Sequence, residues 1–269
     1  DYRNVPFRVG EMMFHDEAFS PTKGKTDELF SALFHRRFAA PDLAFSETTA
    51  FPADRLSAAN MAAKLSTSTI ADVRNTMFMS GITAFPKSHW NTLAPAMKHN
   101  AELHAKVAGH APRGPFKHFY GEHSRKVGDD VPNSLFLASG VPFEVTDSLG
   151  SDGFTFLSDA DARAAASGAI KSNGTQYVIR SEAGILLEGV RTMPGTLDAV
   201  FALKHELLPK FQNVPYVEED KPVVCAWYPT AGAVLLWNLA EKSETLTLVH
   251  NGNRKSVPVS ALSIELVNV

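Results

Sequence analysis

Asp42-Leu43-Ala44-Phe45-Ser46-Glu47-Thr48-Thr49-Ala50-Phe51-Pro52 carries the pattern that decides the fold. A short apolar run ends at Ser46, and a polar loop opening on Glu47 follows it. Residues 54–71, rich in Ala and Leu, then read as a helix with Asp54 near its N-cap. The same unit occurs on either side. Upstream, residues 5–14 read as a buried strand and residues 20–26 as a loop rich in Ser, Pro, Thr and Gly. Leu29, Phe30, Leu33 and Phe34 then form one helical stripe, and His35-Arg36-Arg37 place cations in its last turn. Downstream, Asn75-Thr76-Met77-Phe78-Met79-Ser80 reads as a strand, Gly81 to Lys87 as its loop, and Ser88 as the cap of a helix running to about Val107. Three strand–loop–helix units in a row predict a parallel sheet flanked by helices.

The rest of the chain changes character twice. Residues 112–133 read as loop, and Lys117 to Lys126, which mixes basic and aromatic residues, reads as an interdomain linker. Residues 134–147 read as a short helix end and a strand, and Phe154-Thr155-Phe156-Leu157 as another strand. Ser158-Asp159-Ala160-Asp161 has the form of a capping box opening an Ala-rich helix. Gln176 to Arg180 reads as a strand after an Asn173-Gly174 turn, and residues 196–209 as a helix. From Pro222 onward short β-rich runs dominate: Val223–Tyr228, Ala233–Asn238, Thr245–Val249 and Leu262–Val267. Asn251-Gly252 is a strong hairpin signal.

Composition excludes several classes. The 269 residues suffice for one large or two to three small domains. A net charge of -3 leaves no basic stripe for a nucleic acid. No apolar stretch approaches the ~18 residues of a membrane span, which predicts a soluble chain whose compartment stays open. The single cysteine, Cys225, allows no intrachain disulfide. His99 and His104 are five apart, and His118 and His123 lack a carboxylate-rich partner set, so no metal site is expected. No phosphate-binding or dinucleotide-binding glycine motif is present either, and no cofactor is expected.

Glu47 behind an apolar strand, then Pro52, Asp54-Arg55-Leu56-Ser57, a helix of small residues and Asn75 to Ser80, resembles the end of a clan-A glycoside hydrolase barrel. Phe154 to Asp161 resembles the β-galactosidase trimerisation-type domain of the family 42 enzymes. The resemblance implies an α/β fold in three parts. Residues 1–126 are expected as the C-terminal strands and helices of a (β/α)₈ TIM barrel, 127–215 as a small α/β trimerisation-like domain, and 216–269 as an antiparallel β-sandwich-like domain. It implies a fragment of a retaining hydrolase acting on β-galactosides or β-mannosides, with an oligosaccharide or glycoside as partner and possible assembly as a trimer or dimer. Glu47 takes the position of the catalytic nucleophile at the tip of strand seven. The acid/base from strand four is expected upstream of Asp1, so the chain by itself is expected to lack it.

Other residues at the same strand ends fit sugar binding. Glu11 is a competing nucleophile, His15, Asp16 and Glu17 can hydrogen-bond sugar hydroxyls, and Arg55 can pair with Glu47 to keep it ionised. His89 and Trp90 follow the last of the three strands, where an aromatic face can stack on a pyranose ring. Each has a plainer reading as a loop, capping or packing residue. A non-catalytic carbohydrate-binding or assembly module is the alternative for the whole chain.

Overall fold

The computed structural model describes residues 4–13, 15–81, 83–127, 133–149, 152–170, 176–179 and 190–269, with backbone alone for 7–13, 125–127 and 176–179. It is a mixed α/β protein: parallel sheets come first, and two antiparallel sheets close the chain.

The first sheet has three parallel strands, β1 (Phe7–Met13), β2 (Ala44–Thr49) and β3 (Asn75–Met79), in sequence order. Helix α1 (Asp16–Phe19) is a single turn; α2 (Thr22–His35), α3 (Ala58–Ala71) and α4 (Lys87–Val107) connect the strands and lead away from the third. α2 packs on α3 and α3 on α4, which sets the three helices side by side on one face. The Ser46 and Ser68 hydroxyls meet at 3.1 Å, so that face carries Ala44, Ser46 and Thr48, all fully buried. The stripe Leu29, Phe30, Leu33 and Phe34 is buried as its spacing requires.

Three local readings are corrected. Residues 22–26 are helix rather than loop, with Gly24 inside α2, where a Cβ would collide with the Ala18 carbonyl. α3 is capped by Ser57, whose side chain accepts from Asn60 N at 3.3 Å, while residues 53–55 including Asp54 form a 3₁₀ turn ahead of it. α4 begins at Lys87 behind Pro86, without a side-chain cap, so Ser88 lies inside it.

The N-terminal ends of the strands are tied together by Asp72, a left-handed residue (φ 53°) that ends α3. Its carboxylate accepts from Arg36 at 3.2 Å, from His104 at 2.7 Å and from Gly109 N at 3.2 Å, and its carbonyl from Arg36 Nε at 2.9 Å. Three helix ends thus share one buried anion.

The second sheet has five parallel strands, β4 (Phe116–Phe119), β5 (Phe143–Thr146), β6 (Phe154–Leu157), β7 (Gln176–Ile179) and β8 (Val190–Met193), in the order β5-β4-β6-β7-β8. Helices α5 (Glu122–Val127), α6 (Asp159–Ala166) and α7 (Leu197–Leu207) accompany it. The linker reading of 117–126 is therefore corrected: this stretch holds β4, flanked by β5 and β6, and α5. Its basic residues hid a strand whose core members Phe116, His118 and Phe119 are buried. The Asn173-Gly174 turn and Arg180 lie outside the described residues.

The C-terminal strands β9 (Tyr216–Val217), β10 (Val223–Tyr228), β11 (Ala233–Asn238), β12 (Glu244–His250), β13 (Asn253–Val259) and β14 (Ile264–Asn268) form two three-stranded sheets, β10-β11-β14 and β13-β12-β9. Asn251 (φ 49°) and Gly252 (φ 76°) make the left-handed turn expected between β12 and β13. Val223, Cys225, Val234 and Leu236 alternate inward against Leu246, Leu248, Val257 and Val259 of the other sheet. The opposite face, with Val224, Ala226, Tyr228, Leu235 and Trp237, joins the core shared by the parallel units. Tyr228 OH donates to Ile70 O at 2.9 Å, and His99 Nε2 to Ile264 O at 2.8 Å, fixing this sheet on α3 and α4.

Candidate functional site

Glu47 lies inside β2, two residues before the strand ends at Thr49, rather than in the loop behind it. The ladder runs on because Thr48 and Thr49 pair with both Met12-Met13 and Phe78-Met79. Side-chain alternation turns Glu47 away from the helix-bearing face, together with Thr49. The Thr49 hydroxyl donates to Glu47 Oε1 at 3.0 Å, and only 4% of Glu47 is exposed. A buried carboxylate survives only with partners.

The register of β1 on β2 slips beside it. Val9 pairs with Ser46 and Met12 with Thr48, so Gly10 and Glu11 together stand opposite Glu47. That is a bulge, a device that re-aims the chain and is common beside active sites. It sets the backbones of Glu11 and Glu47 on adjacent strands, about 5 Å apart by ordinary strand spacing.

The remaining residues gather at the C-terminal edge of the same sheet. His15 Nδ1 lies 2.6 Å from Glu17 Oε2, and Arg55 Nη2 donates to Glu17 Oε1 at 2.7 Å. Arg55 is thus paired with Glu17, not with Glu47 as the sequence suggested, and the Arg55 hydrogen bond holds the exposed Glu17 carboxyl below its usual range. The 3₁₀ turn behind β2 brings Arg55 to the first turn of α1, where Glu17 lies. Asp16 Oδ1 accepts from Ser57 N and from Asn60 Nδ2, each at 2.9 Å. It therefore clasps the start of α3 to the first loop. His89 is buried, with Nε2 donating to Leu56 O at 2.8 Å, and so holds the second loop to the third. Trp90, next to it, is 48% exposed, and Phe51 and Met79 at the same edge are exposed too. Asp16 and His89 thus shape the edge, while Trp90 and Phe51 offer aromatic surface.

Sequence reasoning missed Thr49 and Phe51 as site residues. The β-branched Thr48-Thr49 pair directly behind Glu47 was the available signal that the strand continues.

The five-stranded sheet has a second place where ligands bind in open parallel sheets, between β4 and β6, where successive connections diverge. Here the protein fills it with its own carboxylate. Asp161 is fully buried and accepts from Gly121 N at 2.7 Å, from Ser124 N at 3.3 Å and from the Ser124 and Ser158 hydroxyls. Among the described residues no group of three or more His, Cys, Asp or Glu is placed to hold a metal ion, and no helix is long and apolar enough to cross a membrane. No protein-family model and no curated protein matches the chain.

Proposed function

We propose that the chain is part of a retaining glycoside hydrolase of the clan-A, family 42-like type, acting on β-galactosides or β-mannosides, with Glu47 as nucleophile. The observation that carries this reading is a buried glutamate inside a parallel strand, opposite a bulge that bears a second glutamate, Glu11. Parallel strands in sequence order, with their helices side by side on one face, are the arrangement a (β/α)₈ barrel repeats. Active sites of such barrels lie at the C-terminal ends of the strands, the edge to which His15, Asp16, Arg55, His89 and Trp90 belong. The five-stranded unit and the β-sandwich then stand in the order the resemblance implies.

In the proposed reaction the Glu47 carboxylate attacks the anomeric carbon. The glycosidic C–O bond breaks, and the departing oxygen takes a proton from an acid carboxyl. Water, deprotonated by that same group, then opens the glycosyl ester and restores Glu47. Retaining chemistry needs the two carboxyl groups ~5–5.5 Å apart. Glu11, the competing nucleophile, belongs to the strand paired with that of Glu47, and the resemblance implies the acid/base carboxyl from strand four. Trp90 and Phe51 supply faces on which a pyranose can stack.

Azide rescue of the complete protein tests the assignment. Glu47→Ala should abolish turnover and, with azide and an activated β-glycoside, yield the inverted α-glycosyl azide. The β-glycosyl azide, or unchanged turnover, removes Glu47 from the nucleophile's role. The same assay on Glu11→Ala assigns Glu11: the β-azide marks it as the acid/base.

A second reading, a non-catalytic carbohydrate-binding or assembly module, draws on the exposed Phe51, Met79 and Trp90. Sugar binding or self-association without turnover in the complete protein would favour it.

A further inference from the structure

A cavity of about 360 Å³ lies between the five-stranded sheet and the sandwich, on elements other than those carrying Glu47. Arg113, Lys117, Glu144 and Asp152 line it at the N-terminal ends of β4, β5 and β6, and Phe211 and Trp227 form apolar walls. The two units are pinned together at this point, since Arg113 N donates to Trp227 O at 2.8 Å. Phe211 is held edge-on against Phe116 at 6.1 Å and against Phe154 at 5.4 Å between ring centres.

The charges in the cavity are already matched. Glu144 takes both Arg113 and Lys117, the latter at 2.8 Å, and Asp152 Oδ2 lies 3.4 Å from Lys117. Lys210 at the rim has Glu206 4.0 Å away and lies 5.5 Å over the Phe154 ring. A free ion would find little net field here. A neutral polyol would find something different: fixed donors and acceptors side by side, with an indole and a phenyl ring beside them. That is how aromatic side chains and paired polar groups recognise the two faces of a sugar ring. The volume falls in the range of small-ligand pockets.

We propose that this cavity is a carbohydrate-binding site separate from the Glu47 edge, taking one or two neutral β-linked sugar units against Trp227. The sugar class rests on the function proposed above; the site itself does not depend on Glu47.

Tryptophan fluorescence of the full chain tests it, with β-1,4-galactobiose, β-1,4-mannobiose and inorganic phosphate as probes. Trp90 and Trp237 report elsewhere, so Trp227→Phe separates the signal. The expected result is a saturable change with a disaccharide that is lost in Trp227→Phe and kept in Glu47→Gln. Asp152→Ala, at an exposed rim position, should weaken that binding about tenfold with no change in melting temperature. No saturable change with either disaccharide, a change that survives Trp227→Phe, or a response to phosphate alone overturns the proposal. If Glu47→Gln leaves turnover of the complete protein intact while the Trp227 signal persists, the hydrolase reading fails and this site stands.

Discussion

Lys64 of α3 and Glu28 of α2 form an ion pair between two helices with 1% and 0% of their side chains exposed. Two charges in such a place invite a double-mutant cycle. Removing either partner breaks the buried pair, which costs about 3–5 kcal/mol. With an unfolding entropy near ~2.1 cal/mol/K per residue over this chain, each kcal/mol lowers the melting temperature by about 2 °C. Glu28→Met and Lys64→Met should therefore each lower it by roughly 5–9 °C. The double variant, with two flexible apolar chains of similar length, should return to within ~1 kcal/mol of the parent or exceed it, because neither charge then needs desolvating. Calorimetry and urea unfolding of the four proteins measure the cycle. Single losses under ~1 kcal/mol, or a double loss equal to the sum of the singles, refute the reasoning. The pair also has a pH signature. Burial pushes the Lys64 ammonium below the ordinary lysine range. The unfolded chain thus binds more protons than the folded one above the folded pKa, and stability rises with pH across that window until the unfolded lysine also titrates. Lys64→Met should flatten that rise.

Two further predictions concern acid. His118 is fully buried among Phe30, Phe143 and Phe156, neither ring nitrogen has a hydrogen-bond partner among the described residues, and burial pushes its pKa down to about 3. The unfolded histidine protonates near ~6.5, so stability should fall by up to about 5 kcal/mol as pH drops from there to 3. Urea titrations of His118→Leu should show a shallower acid limb, and an unchanged limb would exclude the residue. For Asp72, burial works upward on the pKa, but the hydrogen bonds from His104, Arg36 and Gly109 outweigh it and hold the carboxyl below its usual range. Its stabilisation is present above the unfolded carboxyl's pKa and is lost as pH falls through the folded value. Asp72→Asn tolerates the left-handed backbone and should cost about 1–3 kcal/mol at pH 7 and progressively less as pH falls through the folded value, read from the same titrations.

Much of the fold is legible in the residues. Helix α2 is written in its four-residue stripe, β6 and its capped helix in Phe154 to Asp161, and the β12–β13 turn in Asn251-Gly252. Each is a local pattern whose cause lies within a few residues. β4 is not legible in that way. Lys117 and His118 interrupt its apolar run, and only the aromatic cage around His118 and the Lys117 contact with Glu144 explain how both enter a central strand.

The site divides similarly. From its neighbours in the chain Glu47 reads as the first loop residue behind a strand of a parallel sheet. Its place inside the strand, turned away from α3, required the pairing of Thr48 and Thr49 with two partners. Arg55 reaching Glu17 and Asp16 clasping α3 are contacts between segments about forty residues apart, which no local pattern encodes. By itself the sequence determined the alternation of strands and helices, the change to antiparallel strands after Pro222 and the candidate carboxylates. Only the tertiary structure decided the strand order, the bulge that brings Glu11 beside Glu47, and the cavity against Trp227. Periodicity is set by neighbours along the chain, whereas register and junctions are set by which distant surfaces bury each other best.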